Sequence, residues 1–282
     1  MKKRILLIIG IIILVVIGIF IYLQLNGRVH FFDEVIYIKN KDDQKIYSVL
    51  HRPNKKGKVP IVIYSHGLGA TYRACEDYAD KLKEKGVATI CFDFRGGSDR
   101  SKSDGSTKEM SFLTEMDDLE TIIEEVKTWD FVDNDNIILM GSSQGGAVSA
   151  LISAKRDDIK GTVLLYPALG IPSSVSKWYS SKDKVPEEVK MTQKITVGKK
   201  YFLDVWDYDV YSEIVKDKKD ILIIQGTSDL LVLPSQTKKV HKIYENSELY
   251  FIEGAGHGFD GDDFDEAMGY IINYLKKMKV IK

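Results

Sequence analysis

The segment Gly141-Ser142-Ser143-Gln144-Gly145-Gly146 sets a serine between glycines at the spacing G-x-S-x-G. A serine hydroxyl is a poor nucleophile unless its geometry and a neighbouring base activate it. At this spacing the serine rides a tight strand-to-helix turn, and the glycines leave room for that turn. Asn136 to Met140 reads as the strand before it and Gln144 to Lys155 as the helix after it. The helix N-terminus favours the negative charge that develops in acyl transfer. Ser143 is therefore the candidate nucleophile, and Ser142 is off the glycine spacing.

Such a serine needs a base and a group that orients the base. The chain has five histidines. His257, in Glu253-Gly254-Ala255-Gly256-His257-Gly258-Phe259, follows the last predicted strand, where a loop can carry an imidazole back over a sheet. Asp229, in Gly226-Thr227-Ser228-Asp229, follows the strand Ile221 to Gln225 and completes the order Ser, Asp, His. Asp260, Asp262, Asp263 and Asp265 lie closer in sequence to His257, but at the start of the last helix acidic residues serve the helix dipole and cap. Acyl transfer also needs donors for the oxyanion. The strand Ile61 to Tyr64 runs into Ser65-His66-Gly67-Leu68-Gly69, the place for an oxyanion loop. The backbone N–H groups of Leu68 and Gln144 are the expected donors, with His66 shaping the loop. This chemistry calls for no metal and no cofactor.

The elements that must position these groups alternate between short apolar strands and longer amphipathic helices. The strands fall at Val59 to Tyr64, Val87 to Phe94, Thr162 to Tyr166 and Leu249 to Ile252. The helices fall at Tyr72 to Lys85, Phe112 to Trp129, Ser235 to Tyr244 and Asp263 to Lys279. Alternation of this kind implies a mostly parallel sheet covered on both faces, an α/β fold. Val35 to Ile38 and Lys45 to Leu50 read as an opening antiparallel pair. The stretch Pro167 to Tyr211 carries no clear strand and is rich in aromatics, so a lid insertion is expected over about 167–213. Trp178, Tyr201 and Trp206 are its candidate substrate-binding residues. Cys91 lies in an apolar run and Cys75 in an expected helix; both read as buried small side chains, with no disulfide framework.

The N-terminus differs in kind. Lys2-Lys3-Arg4 precede an apolar run from Ile5 to Leu23. About 20 apolar residues cross a bilayer as a helix. No small-x-small cleavage site follows, so an uncleaved signal-anchor helix over residues 1–27 is expected, with a domain over 28–282. The leading basic residues place the N-terminus in the cytoplasm and the domain outside; secretion after cleavage is the alternative. With 40 basic and 41 acidic residues the chain has no basic excess that would point to nucleic acid.

The chain resembles the α/β-hydrolase superfamily through residues 35–280, and within it the bacterial cinnamoyl and feruloyl esterase branch. The features are His66-Gly67-Leu68-Gly69, Phe92-Asp93-Phe94-Arg95-Gly96, Ser143-Gln144-Gly145-Gly146, Gly226-Thr227-Ser228-Asp229 with Val232, and Glu253-Gly254-Ala255-Gly256-His257. Met110-Ser111 and Glu115-Met116-Asp117-Asp118-Leu119 resemble the helix before the elbow in that branch. The chain departs from it in having Ser142 where His is usual, in Gly96-Gly97-Ser98, and in the anchor. The resemblance implies an α/β-hydrolase fold and hydrolysis of a small-molecule carboxylic ester, its acyl group small or aromatic, through an acyl-enzyme. A peptidase, lipase-like enzyme or thioesterase would use the same triad, and an inactive membrane-tethered binding module would use the same fold.

Overall fold

The computed structural model describes residues 33–282. Short apolar runs become strands where both faces are covered. β1 (Glu34–Lys39) and β2 (Lys45–His51) come first, then β3 (Val59–Ser65), which is buried at every position. α1 (Glu76–Glu84) leads to β4 (Ala88–Phe92), α2 (Phe112–Lys127) to β5 (Val132–Ser142), and α3 (Ser143–Lys155) to β6 (Gly161–Leu165). An inserted stretch follows, with α4 (Val175–Trp178), β7 (Glu188–Lys190), β8 (Thr196–Gly198), α5 (Lys200–Leu203) and α6 (Val210–Ile214). β9 (Asp220–Gly226), α7 (Pro234–Ile243), β10 (Ser247–Ile252) and α8 (Gly261–Lys277) close the chain.

The main sheet has eight strands in the order β1-β2-β4-β3-β5-β6-β9-β10. β2 pairs with β4 antiparallel, and every pairing from β4 across to β10 is parallel. Successive strand residues point to opposite faces. Ile61 and Ile63 accordingly enter one core, whereas Val62 and Tyr64 enter the other. The alternating pattern thus produces the expected two-faced α/β sheet. α2 begins where Ser111 accepts from the Thr114 N–H and Thr114 returns a bond to Ser111, a reciprocal cap. α3 is buried over Gln144 to Ser153, which fits a central helix and its low count of charges.

Two expectations need correction. The inserted stretch does carry strands: β7 and β8 form a small antiparallel pair, with Glu188 opposite Gly198. Three-residue strands leave too short an alternation to read from sequence. The two cysteines are buried as expected, but they are bonded to each other, Cys75 to Cys91, with Cα atoms 5.6 Å apart. The sequence does not reveal that the turn before α1 folds back onto β4. Closing a loop of 16 residues removes unfolded-state freedom worth about 3 kcal/mol.

The signal-anchor helix expected over residues 1–27 falls outside the described residues. Among the described residues no helix is long and apolar enough to cross a membrane.

Candidate active site

β5 and α3 meet at Ser143, whose φ of 52° lies in the left-handed region. A non-glycine residue held there stores strain of about 1–3 kcal/mol, which persists only where surrounding structure enforces it. The enforcement is visible at Gly145: a Cβ there would lie 2.2 Å from the Ser65 carbonyl oxygen, so only glycine lets α3 approach the end of β3. On the other side, Ala168 N–H donates to the Ser143 carbonyl at 2.9 Å.

The structure brings Ser143, His257 and Asp229 together. His257 Nε2 lies 3.0 Å from Ser143 Oγ, and His257 Nδ1 lies 2.8 Å from Asp229 Oδ2. Asp229 is wholly buried in the loop after β9. Its Oδ1 accepts from the Leu231 and Val232 N–H groups, both at 2.9 Å, and its Oδ2 also accepts from Gln225 Nε2 at 3.0 Å. Burial raises its carboxyl most, but the bonds from His257, Val232, Gln225 and Leu231 outweigh burial and hold it below the usual carboxylate range. It is therefore a carboxylate at neutral pH, acceptor-only, and it fixes the imidazole proton on Nδ1. Nε2 is then free to accept. Asp260, the sequence neighbour of His257, instead sits at the N-cap of α8.

The loop after β3 lies against the elbow. A Cβ on Gly67 would meet Ser143 Cβ at 3.1 Å and Ser143 Oγ at 3.6 Å. His66 braces the loop: its Nε2 accepts from Phe94 N–H at 3.1 Å, so its Nδ1 proton faces the Gly67 carbonyl at 2.8 Å. Burial pushes its pKa down, against the Gly67 carbonyl and the Asp93 charge, and the ring is neutral. Among the described residues the Leu68 N–H has no backbone acceptor. The Gln144 N–H belongs to the first turn of α3, where N–H groups have no intrahelical acceptor. Leu68 follows Gly67, which packs against Ser143, and Gln144 follows Ser143 directly.

The three aromatics of the insert do not converge. Tyr201 is buried, with its hydroxyl donating to Gln144 Oε1 at 2.6 Å. Trp178 is exposed, its ring edge-on to Phe202 at 6.2 Å. Trp206 lines a separate cleft of about 590 Å³ with Tyr208, Tyr211 and Gln236. A smaller cleft, about 260 Å³, opens beside Leu68 between Arg100 and the turn Thr192 to Ile195 of the insert.

Two further residues matter here. Tyr166, at the end of β6, packs its ring 4.7 Å from that of His257 and 5.1 Å from that of Phe259. Its position just beyond the carboxyl end of a parallel strand was the available signal. Gln225 holds Asp229 and accepts from Thr237 Oγ1 at 2.6 Å. It reads from sequence as an ordinary strand residue, so nothing local marks it.

Known proteins are similar to this chain in sequence and in fold. A family model described as serine aminopeptidase, S33, matches residues 57–204. The esterase Est1E from Butyrivibrio proteoclasticus, solved with ferulic acid bound, is 26% identical, with a TM-score of 0.79 over 86% of this chain and 99% of that one. The putative esterase/lipase 2 of Mycoplasma genitalium (strain ATCC 33530 / DSM 19775 / NCTC 10195 / G37) is 22% identical over 262 residues, 81% of this chain and 92% of that protein. The quorum-quenching protein AidA of Acinetobacter baumannii (strain MDR-ZJ06) is 26% identical over 121 residues, which spans 42% of this chain but only 38% of AidA.

Proposed function

The chain belongs to the α/β-hydrolase family described as serine aminopeptidase, S33, and from that premise we propose that it is a membrane-anchored carboxylesterase acting on small or aromatic acyl esters with Ser143 as nucleophile. That it is a serine hydrolase of the esterase type follows from the family and from its esterase neighbours. The observation that carries the residue roles is the unbroken line Ser143 Oγ, His257 Nε2, His257 Nδ1, Asp229 Oδ2.

In this reading His257 accepts the Ser143 proton as Oγ attacks the ester carbonyl. Asp229 stabilises the imidazolium without taking the proton. The N–H groups of Leu68 and Gln144 receive the negative charge on the carbonyl oxygen. His257 then protonates the departing alcohol, and water repeats the sequence on the acyl-serine. The insert acts as a lid: Ile195 packs so closely on the oxyanion loop that a Cβ on Gly69 would lie 2.9 Å from its Cγ1. The ferulic acid bound by Est1E supports an aromatic acyl group. Turnover of p-nitrophenyl esters of short, long and aromatic acids, beside thioesters and aminoacyl amides, tests the substrate class. Fastest hydrolysis of short or aromatic esters is expected; preference for the amides would reassign the chain to peptide chemistry.

The anchor and the outward-facing domain rest on Lys2-Lys3-Arg4 followed by the apolar run to Leu23. The Cys75–Cys91 bond supports the same topology, since disulfides persist in oxidising compartments. Cells lysed in denaturant with a maleimide and no reductant should leave both cysteines unmodified. Alkylated Cys75 and Cys91 would put the domain on the reducing side.

A further inference from the structure

The peptide joining Ser143 to Gln144 is a single planar unit, with the Ser143 carbonyl at one end and the Gln144 N–H at the other. Its carbonyl end is fixed by the Ala168 N–H. Its N–H end is the oxyanion donor of the proposed reaction, on the second residue of α3, and the Gln144 side chain is a further handle on that end. That side chain is fully buried. Its amide nitrogen lies 3.8 Å from Met110 Sδ. Beside it lies the Glu115 carboxyl, neither of whose oxygens makes a hydrogen bond of normal geometry among the described residues. Burial pushes Glu115 up to about 8, the Gln144 amide pulling it back and the Asp118 charge adding to the rise, so it is a neutral acid at pH 7. A short bond to Gln144 comes from the insert, from the Tyr201 hydroxyl at 2.6 Å.

Tyr201 is itself held firmly. Its ring packs at 5.6 Å from that of Phe112 and 5.2 Å from that of Phe202. Its helix, α5, is tied to the start of α2 by Asp204, which accepts from Ser111 Oγ at 2.6 Å. One step upstream, Thr107 Oγ1 donates to the Thr196 carbonyl at 2.6 Å. This part of the insert is therefore a strut built against the elbow, whatever its outer turns do.

We infer that Tyr201 is a positioning residue for the oxyanion hole, gripping the Gln144 side chain so that the Gln144 N–H stays on the site of developing charge. The inference rests on the hydrolase reading above. A displaced donor costs less than a deleted one, for which losses of about 10²–10³ in kcat are typical.

Tyr201→Phe removes the hydroxyl and keeps the ring. The expected result in the full chain is a kcat for p-nitrophenyl acetate lower by about ten-fold, with KM unchanged. The affinity of an alkyl boronic acid, which forms a tetrahedral adduct on the serine, should fall by a similar factor. Gln144→Met, which keeps the backbone N–H and removes the acceptor, should show the same split. Combining the two should add nothing, as for residues acting through one contact. Should Tyr201→Phe fold poorly, the Gln144→Met split alone decides. Wild-type kcat in folded Tyr201→Phe, a rise in KM alone, or additive losses in the double variant would overturn the inference and leave the hydrolase reading standing. A wild-type chain that neither turns over esters nor reacts with a fluorophosphonate would overturn both.

Discussion

Replacing Ser143 with alanine should lower kcat for p-nitrophenyl acetate by about 10⁶-fold, which leaves the residual rate that binding and oxyanion donors supply without a nucleophile. Two features make the loss specific to chemistry. Ser143 Oγ has His257 Nε2 as its hydrogen-bond partner, and that nitrogen can turn to water when the hydroxyl is gone. The strained φ of 52° is enforced by the surrounding glycine contacts, so alanine inherits the same backbone. The unfolding free energy from urea titration should therefore stay within about 1 kcal/mol of the parent. A variant with more than a hundredth of parental kcat would remove Ser143 from the reaction.

Asp229→Asn should cost about 10⁴-fold in kcat with little change in KM. Every group that faces the Asp229 carboxylate is a donor: the Leu231 and Val232 N–H groups on Oδ1, Gln225 Nε2 and His257 Nδ1 on Oδ2. An amide has one acceptor oxygen and one donor nitrogen. Turned so that its oxygen serves the two backbone N–H groups, it sets its NH₂ against the Nδ1 proton. The imidazole then relieves the clash by carrying its proton on Nε2, where it can no longer accept from Ser143. Turned the other way, it unseats the loop that holds the residue, which would appear as a lower unfolding midpoint. Steady-state kinetics together with urea unfolding separate these cases. A folded Asp229→Asn with near-parental kcat would show that the imidazole takes its orientation from elsewhere.

Much of this site was legible in sequence because each element leaves a local trace. Ser143 carries its glycines, His66-Gly67-Leu68-Gly69 follows an apolar strand, and Asp229 and His257 follow the next strands in the required order. Fold class came from the same source, since β3, β4 and β9 are short runs buried along almost their whole length and α1 and α8 are amphipathic. What could not be read depends on contacts between distant segments. Cys75 and Cys91 lie on separate elements whose approach is a matter of packing. Tyr201 looks like one aromatic among many, and only the tertiary structure shows its ring buried and its hydroxyl on Gln144, 57 residues away. Glu115 lies in a helix where a charged residue is ordinarily exposed; that it is sealed beside Gln144 is decided by tertiary packing.

The most direct measurement is peptide mass spectrometry of the full chain after reaction with a fluorophosphonate. One phosphonate per chain, on the peptide containing Ser143 and absent from the Ser143→Ala variant, is the predicted result. A folded chain that carries no adduct, or carries it on another residue, would contradict Ser143 as the nucleophile set by His257 and Asp229.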